Sequence, residues 1–138
     1  MNTLDQTCTG IFLQLLEKGK NKSPIRLTEN EYLQVEMVTG VLTALGGGFR
    51  HKISQLSKIN TEWQIQKEMS FVILINYNNY YDPNIYPYTY WDATSTAIEE
   101  SIVFDEKGMN AISVRKQLQH KNYAEEWLTA IAVRLFDQ

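Results

Sequence analysis

Phe71-Val72-Ile73-Leu74-Ile75 is the longest unbroken apolar run in the chain. A run of this length is typical of a buried strand, and it is far shorter than the roughly 18 apolar residues that a membrane-spanning helix needs. Upstream, Leu33, Val35 and Met37 alternate with polar residues, which is the pattern of a strand with one buried face. These two segments place a sheet at the centre of the predicted fold.

Further strands are predicted on both sides of the apolar run. Residues 49–75 have the pattern of an antiparallel meander with a turn at Asn60-Thr61, and residues 85–91 and 97–104 have the pattern of a second strand pair. Residues 39–48 are ambiguous, because 41–45 could form one apolar turn of helix. The Gly46-Gly47-Gly48 triplet that follows predicts a flexible turn.

Both ends of the chain have helical patterns. Thr3 and Gln6 fit a capping box that starts a first helix, and Gly19 is a plausible stop. At the other end, Ser113 can cap one helical segment, and Asn122 with Glu125 fits a second capping box. We therefore predict a single α+β domain over residues 1–138, in which an N-terminal and a C-terminal helix pack against an antiparallel sheet of five or more strands. The stripe expected to bury the last helix is Tyr123, Trp127, Ile131 and Leu135.

Composition narrows the class of protein. The chain has 138 residues, 43% of them hydrophobic, which is enough for a real core. Its first residues lack the basic and apolar regions of a secretion signal, so we expect a cytoplasmic protein without a membrane segment. The single cysteine, Cys8, excludes an internal disulfide, and its place on the apolar face of the first helix predicts a buried, inert thiol.

Charge is unevenly distributed along the sequence. The formal net charge is -3, which gives the whole molecule no general attraction for nucleic acid or anionic membranes. Between Glu68 and Glu106 the chain has no Lys or Arg. The basic residues lie outside this acidic segment, with one cluster from Lys18 to Arg26 and another at Arg50 and Lys52.

An aromatic segment lies inside the acidic one. Tyrosine offers a large contact area at low entropic cost, and interleaved asparagines add adaptable hydrogen bonds, which is the chemistry of many binding surfaces. The alternation of Tyr86, Tyr88 and Tyr90 predicts three rings on one face of a strand, where they could equally be packed across the sheet. The predicted partner-binding residues are Tyr77, Tyr80, Tyr81, Asp82, Tyr86, Tyr88, Tyr90 and Asp92.

The sequence offers few candidates for catalysis. His51 and His120 lie in unrelated elements without metal-ligand spacing, and His120 is expected at the surface or at a helix cap. Glu99 and Glu100 cannot share a site if they lie in a strand, because adjacent strand residues point to opposite faces. We therefore expect a protein that is not an enzyme and that uses no cofactor and no metal.

Two segments of the second half resemble a known group of proteins. Glu68-Met69-Ser70-Phe71 with the aromatic strand after it resembles the sheet, and Arg115-Lys116-Gln117-Leu118 with Glu126-Trp127-Leu128 resembles the closing helix, of an uncharacterised family of small bacterial proteins. Members of that family are often encoded on plasmids, phages and other mobile elements. The resemblance implies that the gene belongs among the accessory genes of mobile elements. It implies no catalytic residues.

These observations favour a non-enzymatic protein-binding module. A mobile-element protein with an acidic, tyrosine-rich surface is suited to a basic protein partner, such as a bacterial defence nuclease, and would then act as an inhibitor of the anti-CRISPR kind. The alternative is a nucleic-acid-binding accessory protein that uses Arg50, Lys52, Lys58 and the Lys18–Arg26 cluster. Strong dependence of binding on salt would favour that alternative.

Overall fold

Two helices and nine strands form the part of the chain that the computed structural model describes, which is residues 1–43, 46–74, 84–106 and 108–136. Helix α1 spans Gln6–Lys18 and helix α2 spans Val114–Phe136, and a short 3-10 turn at Lys20–Lys22 follows α1. The strands are β1 (Ile25–Thr28), β2 (Glu31–Thr43), β3 (Gly46–Ile59), β4 (Glu62–Leu74), β5 (Asn84–Pro87), β6 (Thr89–Asp92), β7 (Glu99–Glu100), β8 (Ile102–Asp105) and β9 (Gly108–Ile112).

The strands form one large sheet and one separate hairpin. Seven strands make an antiparallel sheet in the order β1-β2-β3-β4-β6-β7, and β5 also pairs with β4. Strands β8 and β9 pair only with each other among the described residues. The predicted α+β fold, with an antiparallel sheet and a helix at each end of the chain, is confirmed.

Both helices pack on the same face of the sheet. The main core contains Phe12 and Leu15 of α1, Trp127 and Leu128 of α2, and alternate residues of the central strands such as Phe71. The rings of Phe12 and Phe71 lie 4.7 Å apart, which joins α1 directly to β4. We call this side of the sheet the helical face and the other side the open face.

The apolar run of β4 is unbroken because both of its faces are buried. Phe71 and Ile73 point into the main core, whereas Val72 and Leu74 point to the open face and pack under the β8–β9 hairpin. A strand covered on both sides loses the polar alternation of a half-buried one. The hairpin covers only this end of the open face, and that partial cover shapes the candidate site.

Helix α1 begins at a different residue from the predicted one. Asp5 is the N-cap, and its carboxylate accepts a hydrogen bond of 2.7 Å from the Cys8 amide. The Thr3 hydroxyl is used elsewhere, because it bonds the main chain of Ile85 in β5. Cys8 is buried as expected, and burial raises the pKa of its thiol to about 11. Such a thiol stays protonated and unreactive at neutral pH.

Helix α2 runs through the predicted second start without a break. Asn122 and Glu125 do not form a capping box, since both lie inside the continuous helix. Glu125 instead accepts hydrogen bonds from the Asp5 amide and from Lys121, both at 2.8 Å, so it links α2 to the start of α1. Within the described residues, neither helix is long and apolar enough to cross a membrane.

The glycine triplet is part of a strand, so the predicted flexible turn is wrong. Strand β3 begins at Gly46, and Gly47 and Gly48 pair with Leu42 and Val41 of β2. Gly48 also pairs with Leu74 of β4. A Cβ on Gly48 would lie 2.2 Å from the Ile73 carbonyl oxygen. Glycine is required there because the neighbouring backbone approaches too closely for a side chain.

Candidate functional site

The open face of the sheet exposes a continuous group of aromatic and aliphatic side chains. Tyr32, Leu56 and Ile65 are neighbours across β2, β3 and β4, and the Tyr32 and Trp63 rings meet edge to face with their centroids 4.8 Å apart. Ile65 continues into a shallow depression of about 120 Å³ that it shares with Trp91 and Ile98. We call the group formed by Tyr32, Leu56, Trp63, Ile65, Trp91 and Ile98 the aromatic patch.

A β-bulge turns two members of the patch toward the open face. Gln55 pairs with Lys67, but the next residue, Leu56, pairs with Ile65, so Gln66 is an extra residue in β4. An extra residue shifts every following side chain to the other face. Trp63 and Ile65 would otherwise lie on the helical face, and the bulge leaves them 43% and 40% exposed on the open one.

Next to the patch, a cleft of about 290 Å³ separates the sheet from the β8–β9 hairpin. Its floor includes Ser70 and Lys52, and its hairpin wall includes Phe104. The Lys52 ammonium lies 3.5 Å from carboxylate oxygens of both Glu36 and Glu68. Trp91 and Ile98 line the cleft as well as the patch, so the two form one connected surface.

The predicted partner-binding residues fall into three groups. Tyr77, Tyr80, Tyr81 and Asp82 lie outside the described residues. Tyr86 and Tyr88 pack against the hairpin on the open face, where Tyr88 is buried and lines the cleft. Tyr90 and Asp92 form a pair, in which the tyrosine hydroxyl donates a hydrogen bond of 2.7 Å to the carboxylate.

The three alternating tyrosines do not share one face, so that prediction is wrong. Tyr88 and Thr89 both line the open-face cleft, and the alternation therefore slips by one residue between β5 and β6. Tyr90 falls on the helical face, where its ring lies 4.6 Å from that of Tyr123 in α2. Burial and the hydrogen bond to Asp92 raise the pKa of Tyr90, consistent with a packed rather than a free ring.

Asp92 is held in the turn that follows β6. Its carboxylate accepts hydrogen bonds from the Thr94 hydroxyl at 2.6 Å, the Thr94 amide at 2.9 Å and the Ser95 hydroxyl at 3.2 Å. The hydrogen bonds from Thr94 and Tyr90 hold the pKa of Asp92 well below its usual range. An acid so bound stabilises its own turn and retains its charge at any physiological pH.

A buried histidine network was missed by sequence reasoning. His120 was expected at the surface, but it is 0% exposed. Its Nε2 lies 3.1 Å from the Glu99 carboxylate and its Nδ1 lies 2.7 Å from the Ser101 hydroxyl. The signal was available, because His120 is seven residues before Trp127 and therefore on the same face of α2.

This network has the residue types of a serine-hydrolase triad, but its geometry is structural. Burial lowers the pKa of His120, and the hydrogen bond with Glu99 offsets only part of that effect. In the neutral ring, Nε2 donates to the carboxylate, so Nδ1 accepts from Ser101. Ser101 is 2% exposed, and neither it nor His120 lines any of the described cavities. A nucleophile sealed from substrate cannot react, and the network instead joins α2 to β7 and to Ser101, the residue between β7 and β8.

The lowered pKa of His120 predicts a stability that falls in mild acid. The unfolded chain takes up the proton near the ordinary histidine pKa of about 6.5, before the folded protein does. We expect the free energy of unfolding to decrease below about pH 6.5, by up to about 1.4 kcal/mol per pH unit for this group. Urea unfolding of the wild type and His120→Gln at two pH values measures the effect.

His51 serves as the comparison, because burial lowers its pKa too. His120→Gln and His51→Gln should each remove part of the dependence on pH. An unchanged slope in His120→Gln would mean that its proton uptake is the same in the folded and unfolded chains.

One further cluster could be read as a metal site. Side-chain ligand atoms of Asp5, Cys8 and Glu125 lie within 4.8 Å of one another. The Asp5 carboxylate already caps α1, and Glu125 already bonds Lys121 and the Asp5 amide. Since the Cys8 thiol has a raised pKa, it is a poor metal ligand. The cluster is explained by the contact between the two helices.

Glu99 and Glu100 point in opposite directions, as predicted. Glu99 reaches His120 under α2, whereas Glu100 lines the cleft on the open face.

Comparisons of the chain with protein-family models, curated proteins and solved structures found no match.

Proposed function

We propose that this chain is a non-enzymatic protein-binding module that contacts its partner through the aromatic patch. The supporting observation is that Trp63, Ile65 and Ile98 are 43%, 40% and 56% exposed on the open face of the sheet. Interface hot spots are enriched in tryptophan and tyrosine, and large exposed apolar patches mark interaction sites. Ser101 and His120 are both buried, so this pair cannot contact a substrate.

The partner is a protein with a basic surface. Glu68 and Glu100 lie beside Trp91 and Ile98 in the cleft next to the patch. The described segment 84–106 also contains Asp92, Glu99, Asp105 and Glu106 and no basic residue. Acidic groups on the β6–β7 side of the patch attract a basic partner during encounter and disfavour acidic ones.

The partner class we propose is a bacterial defence nuclease, such as a CRISPR effector, blocked by a mobile-element protein. Enzymes that handle nucleic acid have basic clefts, and an acidic surface with an aromatic centre can occupy such a cleft. This part of the proposal rests on the resemblance of the second half of the chain to a family of mobile-element proteins.

Two tryptophan variants test the binding surface. We expect Trp63→Ala and Trp91→Ala each to weaken partner binding by roughly 2 kcal/mol, or about 30-fold, as central interface tryptophans do. The assay is inhibition of target-DNA cleavage by a purified RNA-guided nuclease, with a pull-down from the native host to identify other partners. Full inhibition by both variants would refute the role of the patch.

The matched control is an exposed apolar residue on the other side of the molecule. Val133 is on α2 and 57% exposed, so Val133→Ala should leave both folding and binding unchanged. Unfolding curves of all three variants separate lost contacts from lost structure. A partner retained by Val133→Ala and lost by Trp63→Ala would identify the patch as its binding site.

One cavity favours nucleic acid as the alternative partner. Lys22 and Arg26 line a depression of about 410 Å³ together with Tyr32 and Trp63. Basic side chains beside exposed aromatic rings, on which bases can stack, are the elements of a single-strand-binding platform. Anisotropy of labelled single-stranded DNA and RNA across salt concentrations distinguishes the proposals. Micromolar binding that weakens steeply with salt, and that Arg26→Ala reduces, would favour nucleic acid.

A further inference from the structure

The cleft under the β8–β9 hairpin contains Arg50, whose hydrogen-bonding capacity is only partly used by the described residues. The Arg50 guanidinium lies 5.0 Å from the centre of the Phe104 ring, and one of its terminal nitrogens donates to the Thr39 hydroxyl. Its Nε is buried and has no hydrogen-bond partner among the described residues. A buried donor without a partner carries a cost of about 1–3 kcal/mol, so the described residues do not fully satisfy this guanidinium, which lines the cleft.

Arg50 also has no carboxylate partner within the described part of the chain. Glu68 lines the same cleft, but it is paired with Lys52 and accepts a hydrogen bond of 2.8 Å from Ser54. None of the ion pairs between described residues includes Arg50. Among the described residues, the guanidinium is therefore a packed positive charge without a carboxylate partner.

Two hydroxyl groups lie beside this cation. Burial raises the pKa of Tyr88, and the neighbouring Arg50 and Ser70 offset only part of that effect. The Tyr88 phenol is therefore a neutral donor at physiological pH, and both Tyr88 and Ser70 line the cleft with Arg50. A guanidinium with adjacent hydroxyl donors is the donor set that binds a planar anion.

We propose that this cleft binds a small organic carboxylate, with Arg50 as its anchor. The other walls are apolar, formed by Val38, Ile102, Val103 and Phe104, and they suit a hydrocarbon or aromatic group next to the acid. A volume of about 290 Å³ is at the lower end of the range for small-molecule sites, which corresponds to a ligand with one ring.

The charge of the cleft selects a carboxylate over a phosphate. Glu68 and Glu100 line the cavity together with Arg50 and Lys52. A dianion would meet repulsion from these acids, whereas a single negative charge can be satisfied by the guanidinium alone. Carboxylate binding in the cleft does not require a protein partner at the aromatic patch, so it can be tested independently of the proposed function.

A matched pair of ligands tests the proposal. We expect phenylacetate to bind, as followed by calorimetry and by amide chemical-shift changes near Arg50, Tyr88 and Phe104. Its neutral counterpart phenylacetamide should bind at least about tenfold more weakly, because it lacks the charge that strengthens the bond to a guanidinium. Equal binding of the two compounds, or no saturable binding of phenylacetate in the millimolar range, would overturn the proposal.

Variants of the cleft give an independent result. Arg50→Met should reduce phenylacetate binding by at least about tenfold, and Arg50→Lys should retain part of it. Tyr88→Phe keeps the packed ring and should weaken binding by a smaller factor. Lys58→Met is the control, since Lys58 is an exposed cation on the same strand that does not line the cleft. If Arg50→Met does not fold, wild-type affinity in both Arg50→Lys and Tyr88→Phe would refute the site.

Discussion

Trp127→Ala should destabilise the protein by about 3–5 kcal/mol, which is the range for removing a large aromatic side chain from a core. Trp127 is 5% exposed and packs in the main core with Leu128 and Ile131. Its indole Nε1 donates a hydrogen bond of 2.8 Å to the Gln55 side chain of β3. The substitution thus leaves both a cavity and an unpaired Gln55 oxygen beneath α2.

Two other tryptophan variants make this result specific. Trp127→Phe keeps most of the ring volume and loses only the hydrogen bond, so we expect a smaller loss of about 1–2 kcal/mol. Trp63→Ala removes a tryptophan from the open face and should cost less than Trp127→Ala. Urea unfolding of the three variants provides the free energies. A change within about 0.5 kcal/mol for Trp127→Ala would mean that α2 does not depend on this side chain.

The sequence predicted those parts of the fold that depend on local periodicity. The apolar run at β4, the alternation in β2 and the stripe on α2 each report burial directly. The stripe was only partly right, because Tyr123 is 42% exposed and the buried face of α2 also includes the polar residues Gln117 and His120. Polar residues on that face broke the apparent pattern, although each of the two has its hydrogen bonds satisfied.

The candidate site was harder to predict because it depends on register. Nothing in the local sequence marks Gln66 as a bulge, yet that extra residue moves Trp63 and Ile65 to the open face. A second slip, at Tyr88 and Thr89, separates Tyr90 from Tyr88. Pairing between strands determines both slips, and side-chain composition shows neither of them.

The glycine triplet illustrates the same difficulty at the level of the backbone. Gly46-Gly47-Gly48 has the composition of a turn, but Gly48 lies in the middle of three paired strands, between Val41 and Leu74. Its role depends on how close β4 approaches, which only the tertiary structure determines. The adjacent Gly47 differs, because a Cβ there would have nothing within 4 Å.

Gly48→Ala should therefore be strongly destabilising, and Gly47→Ala should be close to neutral. A Cβ at position 48 would lie 2.2 Å from the Ile73 carbonyl oxygen and 2.9 Å from Leu74 Cδ2, whereas a Cβ at position 47 has nothing within 4 Å. Overpacking of this kind costs about 1–3 kcal/mol, and the upper end applies because the closest atom belongs to the paired backbone and cannot rotate away. Gly47→Ala should change stability by no more than about 0.5 kcal/mol.

The pair can be measured by urea unfolding and amide hydrogen exchange. In Gly48→Ala the amides of β3 and β4 near the substitution should lose protection, since the strands must separate there to admit the methyl group. Gly47→Ala makes the same chemical change one residue earlier. A stability change common to both variants therefore comes from the lower entropy of the unfolded chain, and not from the close approach to Ile73. Equal stabilities for the two variants would show that β3 and β4 are not paired as closely at Gly48 as the structure has them.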